Sequence, residues 1–208
     1  MDTNLLFTYL ILGIIGLVSW KGFYDSIFKE KYLFSPYIIK VHNEWYRFIS
    51  HTFLHGDIGH LLFNCIAVYY FGGFIETYFD FQYPEPFGKI TFIVFILLAM
   101  IFSSLYSYFK HINNPGYRSI GFSGVTSAFL FAAILLAPTM NIGMILLPVS
   151  IPAYLFAPLY LAFEFWASKK QNTTIAHDAH IGGAIFGVVF ILITNIEQVK
   201  ISINSIFS

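Results

Sequence analysis

The chain has little charge. Only 11% of its 208 residues are Asp, Glu, Lys or Arg, against roughly 25% in an ordinary soluble domain. Hydrophobic residues make up 57% of the chain and aromatic residues 20%. So few charged residues cannot cover the water-facing surface of a domain of this length. The composition therefore excludes a soluble globular protein and predicts an integral, multi-pass membrane protein.

The chain also lacks an excess of either charge and a cysteine pair, and we do not expect its N-terminal residues to form a cleavable leader. Eleven basic residues balance eleven acidic ones, which argues against a nucleic-acid partner. Cys65 is the single cysteine, which excludes an internal disulfide and a cysteine-based zinc cluster. Asp2 stands where a signal peptide carries basic residues, and the first apolar run ends at Trp20. We expect this run to be a membrane span.

Apolar stretches of about 20 residues predict membrane-spanning helices. We expect an all-α membrane protein, a bundle of six transmembrane helices that forms a single domain over residues 1–208. Residues 21–59 mix charged with aromatic side chains, which predicts a structured loop at the membrane interface. The predicted spans are 3–20, 60–79, 90–109, 123–137, 144–167 and 179–196.

The fourth and fifth spans have unusual features. No charged residue occurs from Ser119 to Phe163, a stretch too long for one helix, and Pro138 is expected to divide it. The fourth span would reach only about 22 Å into a hydrocarbon core of roughly 30 Å. Its first residue, Ser123, is therefore expected at membrane depth beside a water-filled cavity. Prolines in the fifth span predict a bent or partly irregular segment.

Three motifs place polar residues at the heads of predicted spans. In the first, Gly121 and Gly124 flank Phe122 and Ser123. A serine at a helix start lies beside unpaired N–H groups, which suits a nucleophile with oxyanion donors but also an ordinary N-cap.

The other two motifs contain histidine. His60 and Asn64 are four residues apart and share a helix face, where they either pair with another helix or act on a substrate. His180 opens the sixth span, and Gly183 and Gly187 follow it at a spacing that permits close helix packing.

Taken together, these motifs resemble the rhomboid family of intramembrane serine proteases. They occur in the family's order, and the resemblance covers residues 1–196. It implies a six-helix core with a Ser–His dyad in a cavity that opens to one face. The matching residues are Arg47, His51, His55, His60, Asn64, Gly72, Gly73, Phe74, Ile75, Glu76, Gly121, Phe122, Ser123, Gly124, Ala179, His180, Ile181, Gly182, Gly183 and Gly187.

The resemblance also implies a role for each matching residue. Ser123 would be the nucleophile and His180 the general base, without a metal or other cofactor. The oxyanion hole would consist of the His60 and Asn64 side chains and the Ser123 N–H. Substrates would be transmembrane proteins cut near a small residue, where the helix unwinds easily. The structural residues would be Arg47, Glu76, Gly121, Gly124, Gly183 and Gly187.

Several alternatives remain open at this stage. Some rhomboid proteins carry a Tyr that stacks on the catalytic histidine where this chain has Ser127. Asp178 lies two residues from His180, which favours a helix N-cap over a catalytic triad. His177, His180 and His60 are conceivable metal ligands, although no His-Glu-x-x-His signature is present. The rival functions are an inert rhomboid-like scaffold that binds transmembrane helices and a small transporter.

Two arguments predict opposite orientations of the chain in the membrane. The loops 21–59, 110–122 and 168–178 carry nine of the eleven basic residues, and the positive-inside rule would place them in the cytoplasm. The six-span bacterial rhomboids instead imply cytoplasmic termini in the bacterial inner membrane. We expect the second arrangement, because residues 21–59 read as a folded element with acidic residues among the basic ones.

Overall fold

The structure, a computed structural model, describes residues 5–144, 147–169 and 176–207. Within these ranges the chain is mainly helical, with a 3₁₀ turn at His51–Phe53, a π turn at Val68–Gly72 and one small hairpin. The elements are α1 (Leu6–Tyr24), α2 (Ser26–Tyr32), α3 (Pro36–His42), α4 (Arg47–Ser50), α5 (Ile58–Ala67), α6 (Gly73–Gln82), α7 (Phe87–His111), α8 (Ser123–Leu136), β1 (Asn141–Met144), β2 (Leu147–Pro152), α9 (Ala153–Ser168), α10 (His177–Thr194) and α11 (Ile196–Asn204).

Among the residues that the structure describes, four helical segments are long and apolar enough to cross a membrane. They are α1, the combined segment Ile58–Gln82, α7 and α10. Helix α8 is apolar but has 14 residues, and α9 has 16. The predicted all-helical, multi-pass membrane fold is confirmed, whereas the predicted number of six spans is not.

The fifth predicted span, 144–167, is helical only in its second part. The chain forms an antiparallel hairpin of β1 and β2, in which Asn141 pairs with Pro152, and α9 begins only at Ala153. Proline lacks an amide proton and holds the preceding residue in extended backbone, so Pro148 and Pro152 favour a strand here. At the other end of the chain, α11 follows α10 where no further helix is predicted.

The segment that was predicted as a structured loop folds into three short helices around Arg47. This side chain is buried, and its Nη1 donates to the carbonyl oxygens of Leu33 at 2.6 Å and Glu30 at 3.0 Å. Its Nε donates to Glu44 at 2.6 Å. The Arg47 guanidinium holds the pKa of Glu44 below its usual range. One guanidinium thus ties α2 to α4.

Glu76 is the corresponding anchor for the first helix. Its buried carboxylate accepts hydrogen bonds from the N–H groups of Phe7 and Thr8, both at 2.8 Å, and from the Thr8 hydroxyl at 2.5 Å. The first N–H groups of a helix have no partner within the helix and favour a negative charge. Glu76 therefore caps α1 from a neighbouring span.

Helix α8 lies at the centre of the fold and crosses α10 at very short range. All its residues except Ser123 and Leu135 are buried. A Cβ built on Gly183 would overlap the Gly124 carbonyl oxygen, and one built on Gly187 would overlap the Ala128 carbonyl oxygen. The two backbones are therefore in direct contact, with no side chain between them.

Two buried histidines hold the turn that precedes α8. The Gly121 N–H donates to the His51 carbonyl oxygen at 3.1 Å, and the Phe122 N–H donates to His55 Nε2 at 3.4 Å. His55 Nδ1 lies 2.7 Å from Ser19 Oγ, which donates to the Phe53 carbonyl oxygen. His55 Nε2 must be unprotonated to accept, so this network requires neutral His55.

The close crossing of α8 and α10 predicts opposite effects for two glycine substitutions. Gly183→Ala should destabilise the protein by about 1–3 kcal/mol, because the new methyl group forces the backbones apart. In the control Gly13→Ala the methyl group has open space, and the gain in helix propensity should leave stability equal or higher by up to about 1 kcal/mol. Thermal unfolding in detergent measures both, and equal stability of the two variants would contradict the crossing.

Burial of His51 and His55 predicts acid sensitivity. Desolvation lowers the pKa of His51 to about 4 and that of His55 to about 3, from 6.5. Below pH 6.5 these two histidines bind protons in the unfolded chain but not in the folded chain. The stability of the folded state therefore falls as the pH falls. Each histidine should contribute about 1 kcal/mol per pH unit to the loss between pH 6.5 and 5. Unfolding measured at pH 7 and pH 5 should show this loss, with a smaller slope in His55→Gln.

Candidate active site

The residues that the sequence predicts as nucleophile, base and oxyanion donors line one cavity of about 760 Å³. Ser123 begins α8, His180 lies in the first turn of α10, and His60 and Asn64 lie on α5. The cavity wall also includes Ser127, Tyr160 and Glu164. Four helices thus bring hydroxyl, imidazole, amide and carboxylate groups to one space within a largely apolar protein.

Ser123 is presented by a glycine turn. Gly121 has a φ of +126°, which L side chains rarely adopt, and a Cβ there would lie 2.6 Å from the His60 ring. Ser123 is the first residue of α8, Phe122 is the N-cap, and no side chain caps this helix start. The hydroxyl is half-buried and is not used as the N-cap that the alternative interpretation assumed.

His60 and Asn64 lie against the same turn. Asn64 is buried, its Nδ2 donates to the His60 carbonyl oxygen at 2.9 Å, and its Oδ1 accepts from Thr126 Oγ1 at 3.5 Å. The amide has a second N–H, so it retains a donor that can face the cavity. The Asp57 side chain caps α5 by accepting from the His60 N–H at 2.8 Å, which fixes the start of this helix.

His180 is held by Glu164 of α9, a residue that the sequence analysis missed. Glu164 Oε1 lies 3.0 Å from His180 Nδ1, and Glu164 Oε2 lies 2.6 Å from His177 Nδ1. The Glu164 side chain is 5% exposed. A single carboxylate inside a predicted span is by itself a signal of function, and it would have identified this residue.

Ser123 and His180 share the cavity without a direct bond. In the part of the chain that the structure describes, no hydrogen bond joins the Ser123 hydroxyl to His180. Catalytic hydrogen bonds are often long before substrate binds and tighten in the complex. With its Nδ1 occupied by Glu164, His180 has Nε2 left for the serine hydroxyl.

Asp178 has neither of the roles considered for it. The N-cap of α10 is Ala176, and the Asp178 carboxylate accepts from Lys110 Nζ at 2.7 Å, on α7. The prediction of an N-cap is therefore wrong. The reason is that a cation on a neighbouring helix offers this carboxylate a stronger, charge-assisted bond.

Ser127 contacts a tyrosine from α9. Ser127 Oγ and the Tyr160 hydroxyl are 2.9 Å apart, and Tyr160 lies one turn before Glu164 on the same helix. Helix α9 therefore approaches the cavity with two polar side chains, one at Ser127 and one at His180.

A possible cation site coincides with the same cluster. One donor atom each from Glu164, His177 and His180 lies within 4.8 Å of the others, and three ligands with an open position suit a catalytic zinc ion. The residue grouped with His177 and His180 is Glu164, whereas the sequence analysis considered His60 in that place. Both histidine Nδ1 atoms are already within hydrogen-bond distance of the carboxylate.

Comparison with known proteins gives the same family. A model of the Rhomboid domain matches residues 42–196. The chain is 28% identical to "Rhomboid protease GlpG" of Haemophilus influenzae over 178 residues, 85% of this chain and 83% of the relative.

Two further relatives are longer than this chain. It is 24% identical to "RHOMBOID-like protein 12, mitochondrial" of Arabidopsis thaliana and 27% identical to "Rhomboid protease GlpG" of Yersinia pestis. Each match covers 86% of this chain but 55% of the relative. Because the family model matches well over half of its residues, the chain belongs to the rhomboid family.

Proposed function

We propose that this rhomboid protein is an intramembrane serine endopeptidase that works through Ser123 and His180. Family membership and the names of the bacterial relatives support intramembrane proteolysis as the activity. The observation that carries the assignment to these residues is the shared cavity, where both lie at helix starts beside His60 and Asn64.

The proposed chemistry is acyl transfer to serine. As Ser123 Oγ forms a bond to the scissile carbonyl carbon, its proton passes to His180. His180 then returns the proton to the leaving amine, and water hydrolyses the acyl-enzyme by the same proton transfers in reverse. A free serine hydroxyl is a poor nucleophile, so the reaction depends on His180.

The oxyanion that forms in each step needs hydrogen-bond donors. We assign this function to the Ser123 N–H, the Asn64 amide and the His60 ring. The Ser123 N–H belongs to the first turn of α8, where backbone N–H groups have no partner in the helix. Preorganised donors of this kind are worth about 10²–10³-fold in rate each. Gly121, Gly124, Gly183 and Gly187 would serve by letting the helices approach closely.

The proposed substrates are transmembrane proteins. A peptide bond must be extended to be cleaved, so a substrate helix of low propensity, with small residues near the cut, costs least to unwind. The cavity contains hydroxyl, amide and carboxylate groups, which can hold the water that hydrolysis consumes.

We further propose the bacterial inner membrane as the location, with both termini in the cytoplasm and the cavity open to the other side. The folded helices of residues 26–53 support this orientation, because the positive-inside rule applies to short flexible loops.

Removal of either proposed catalytic group should abolish cleavage of a model transmembrane substrate. Ser123→Ala leaves no nucleophile, and His180→Ala leaves no base, so both should lose turnover and labelling by a fluorophosphonate. Ser168→Ala and His42→Ala, which lie outside the cavity, are the matched controls and should behave as the wild type. Wild-type labelling in His180→Ala would refute the dyad, and an unreactive wild type would favour the scaffold.

The orientation can be measured with single cysteines in a Cys65→Ala background. Asn113 is exposed just after the last residue of α7. Gln82 is exposed at the last residue of α6, a few residues before α7 begins. An impermeant maleimide should label Asn113→Cys in intact cells and leave Gln82→Cys protected. The reverse pattern would place the cavity on the cytoplasmic side.

A further inference from the structure

Glu164 is a carboxylate that lines the cavity beside the proposed base. It lies on α9, with its side chain 5% exposed, and its two oxygens face two different histidines of α10. Oε1 is 3.0 Å from His180 Nδ1, and Oε2 is 2.6 Å from His177 Nδ1. No role for this residue follows from the motifs described above.

This geometry determines the tautomer of His180. An ionised carboxylate can only accept hydrogen bonds, so the proton of neutral His180 must be on Nδ1. The lone pair is then on Nε2, the nitrogen that is left to accept a proton from serine. The same reasoning places a proton on His177 Nδ1, so one buried carboxylate is satisfied by two ring N–H groups.

We infer that Glu164 is a positioning residue that extends the Ser123–His180 pair to a triad. This inference rests on the proposed function. When the Ser123 O–H bond breaks, the proton moves to His180 Nε2 while the Nδ1 proton stays in place. The imidazolium that forms lies 3.0 Å from the carboxylate, which remains ionised and stabilises the positive charge.

The attachment of α9 supports this role. Ala153, Glu164 and Ala167 are the buried residues of this helix, so Glu164 is the buried side chain of α9 that carries a charge. On the same side, the Tyr160 hydroxyl lies 2.9 Å from Ser127 Oγ. The carboxylate of Glu164 therefore lies in the contact between α9 and α10, where its two oxygens face His177 and His180.

The fold tolerates the buried Glu164 charge only when the carboxylate has hydrogen-bond partners. A buried, unpaired carboxylate is expensive, and two histidine donors compensate for that cost. Lys110 and His111 of α7 face the other acid of this region, Asp178, so Glu164 does not share its partners with that carboxylate.

The test is Glu164→Gln in the full chain, purified in detergent. Gln has the same shape but a single acceptor oxygen and no charge. We expect kcat for a transmembrane substrate to fall by about 10²–10⁴-fold, by analogy with the loss of the acid from other serine triads. KM should change far less, because Glu164 does not touch the substrate. Glu197→Gln, at an exposed carboxylate of α11, is the matched control and should retain wild-type kcat.

A second measurement does not depend on activity. The seven histidines can be labelled with ¹⁵N, and the ring shifts of His180 are assigned by comparison with His180→Gln. In the wild type at neutral pH we expect His180 to have a protonated Nδ1 and an unprotonated Nε2. In Glu164→Gln we expect the two ring ¹⁵N shifts to change, because the carboxylate that holds the proton on Nδ1 is gone. A wild-type His180 with its proton on Nε2 would overturn the inference, even if Glu164→Gln failed to fold.

The remaining outcomes separate the two hypotheses. A wild type that cleaves and is labelled, together with equal kcat in Glu164→Gln, would overturn the role of Glu164 alone. A wild type that neither cleaves nor reacts would overturn both. Wild-type activity should also survive EDTA, and a loss that Zn²⁺ restores would mean that the cluster binds a metal.

Discussion

The direct backbone contact between α8 and α10 is the constraint on which the candidate site depends. Lipid tails are as apolar as leucine, so helices in a membrane gain little from burying large side chains and associate best where small residues let backbones meet. Gly124 and Gly183 provide that contact near the start of both helices. Ser123 and His180 lie within a turn of it, and the crossing therefore fixes their separation.

Charged groups inside the fold act as point attachments between elements. Arg47 joins short helices through carbonyl oxygens, Glu76 caps α1, and Glu164 links α9 to α10. Their partners are backbone groups and histidine rings, together with the Glu44 carboxylate and the Thr8 hydroxyl. In a membrane such groups are costly when unpaired, so each attachment also specifies which elements are neighbours. Glycine contacts thus set the distance between helices, and buried charges set which elements lie next to each other.

The sequence predicted those parts of the fold that depend on local pattern. The start of α8 at Ser123 followed from an apolar run after glycine, and the limits of α7 followed from hydropathy. The hairpin before α9 was not predicted, because apolar strands and apolar helices have the same hydropathy and only the prolines distinguish them.

The contacts of the site were predicted less well than its residues. Ser123, His60, Asn64 and His180 were recognised from motifs and do line one cavity, while their roles remain predictions. Glu164 was missed because its partners are 13 and 16 residues away on another helix, a separation that no helical period connects. Asp178 was misassigned for the same reason.

The π turn at Val68–Gly72 has a consequence for how this span can change in evolution. It accommodates an extra residue between the half that carries His60 and Asn64 and the half that carries Glu76. Deletion of one residue elsewhere in the span would rotate one half by about 100° relative to the other, and either the cavity wall or the cap of α1 would then face the wrong neighbour. Deletion of one residue within the π turn would instead restore regular α-helix and leave both faces in place. The π turn is therefore the place where this span can change in length.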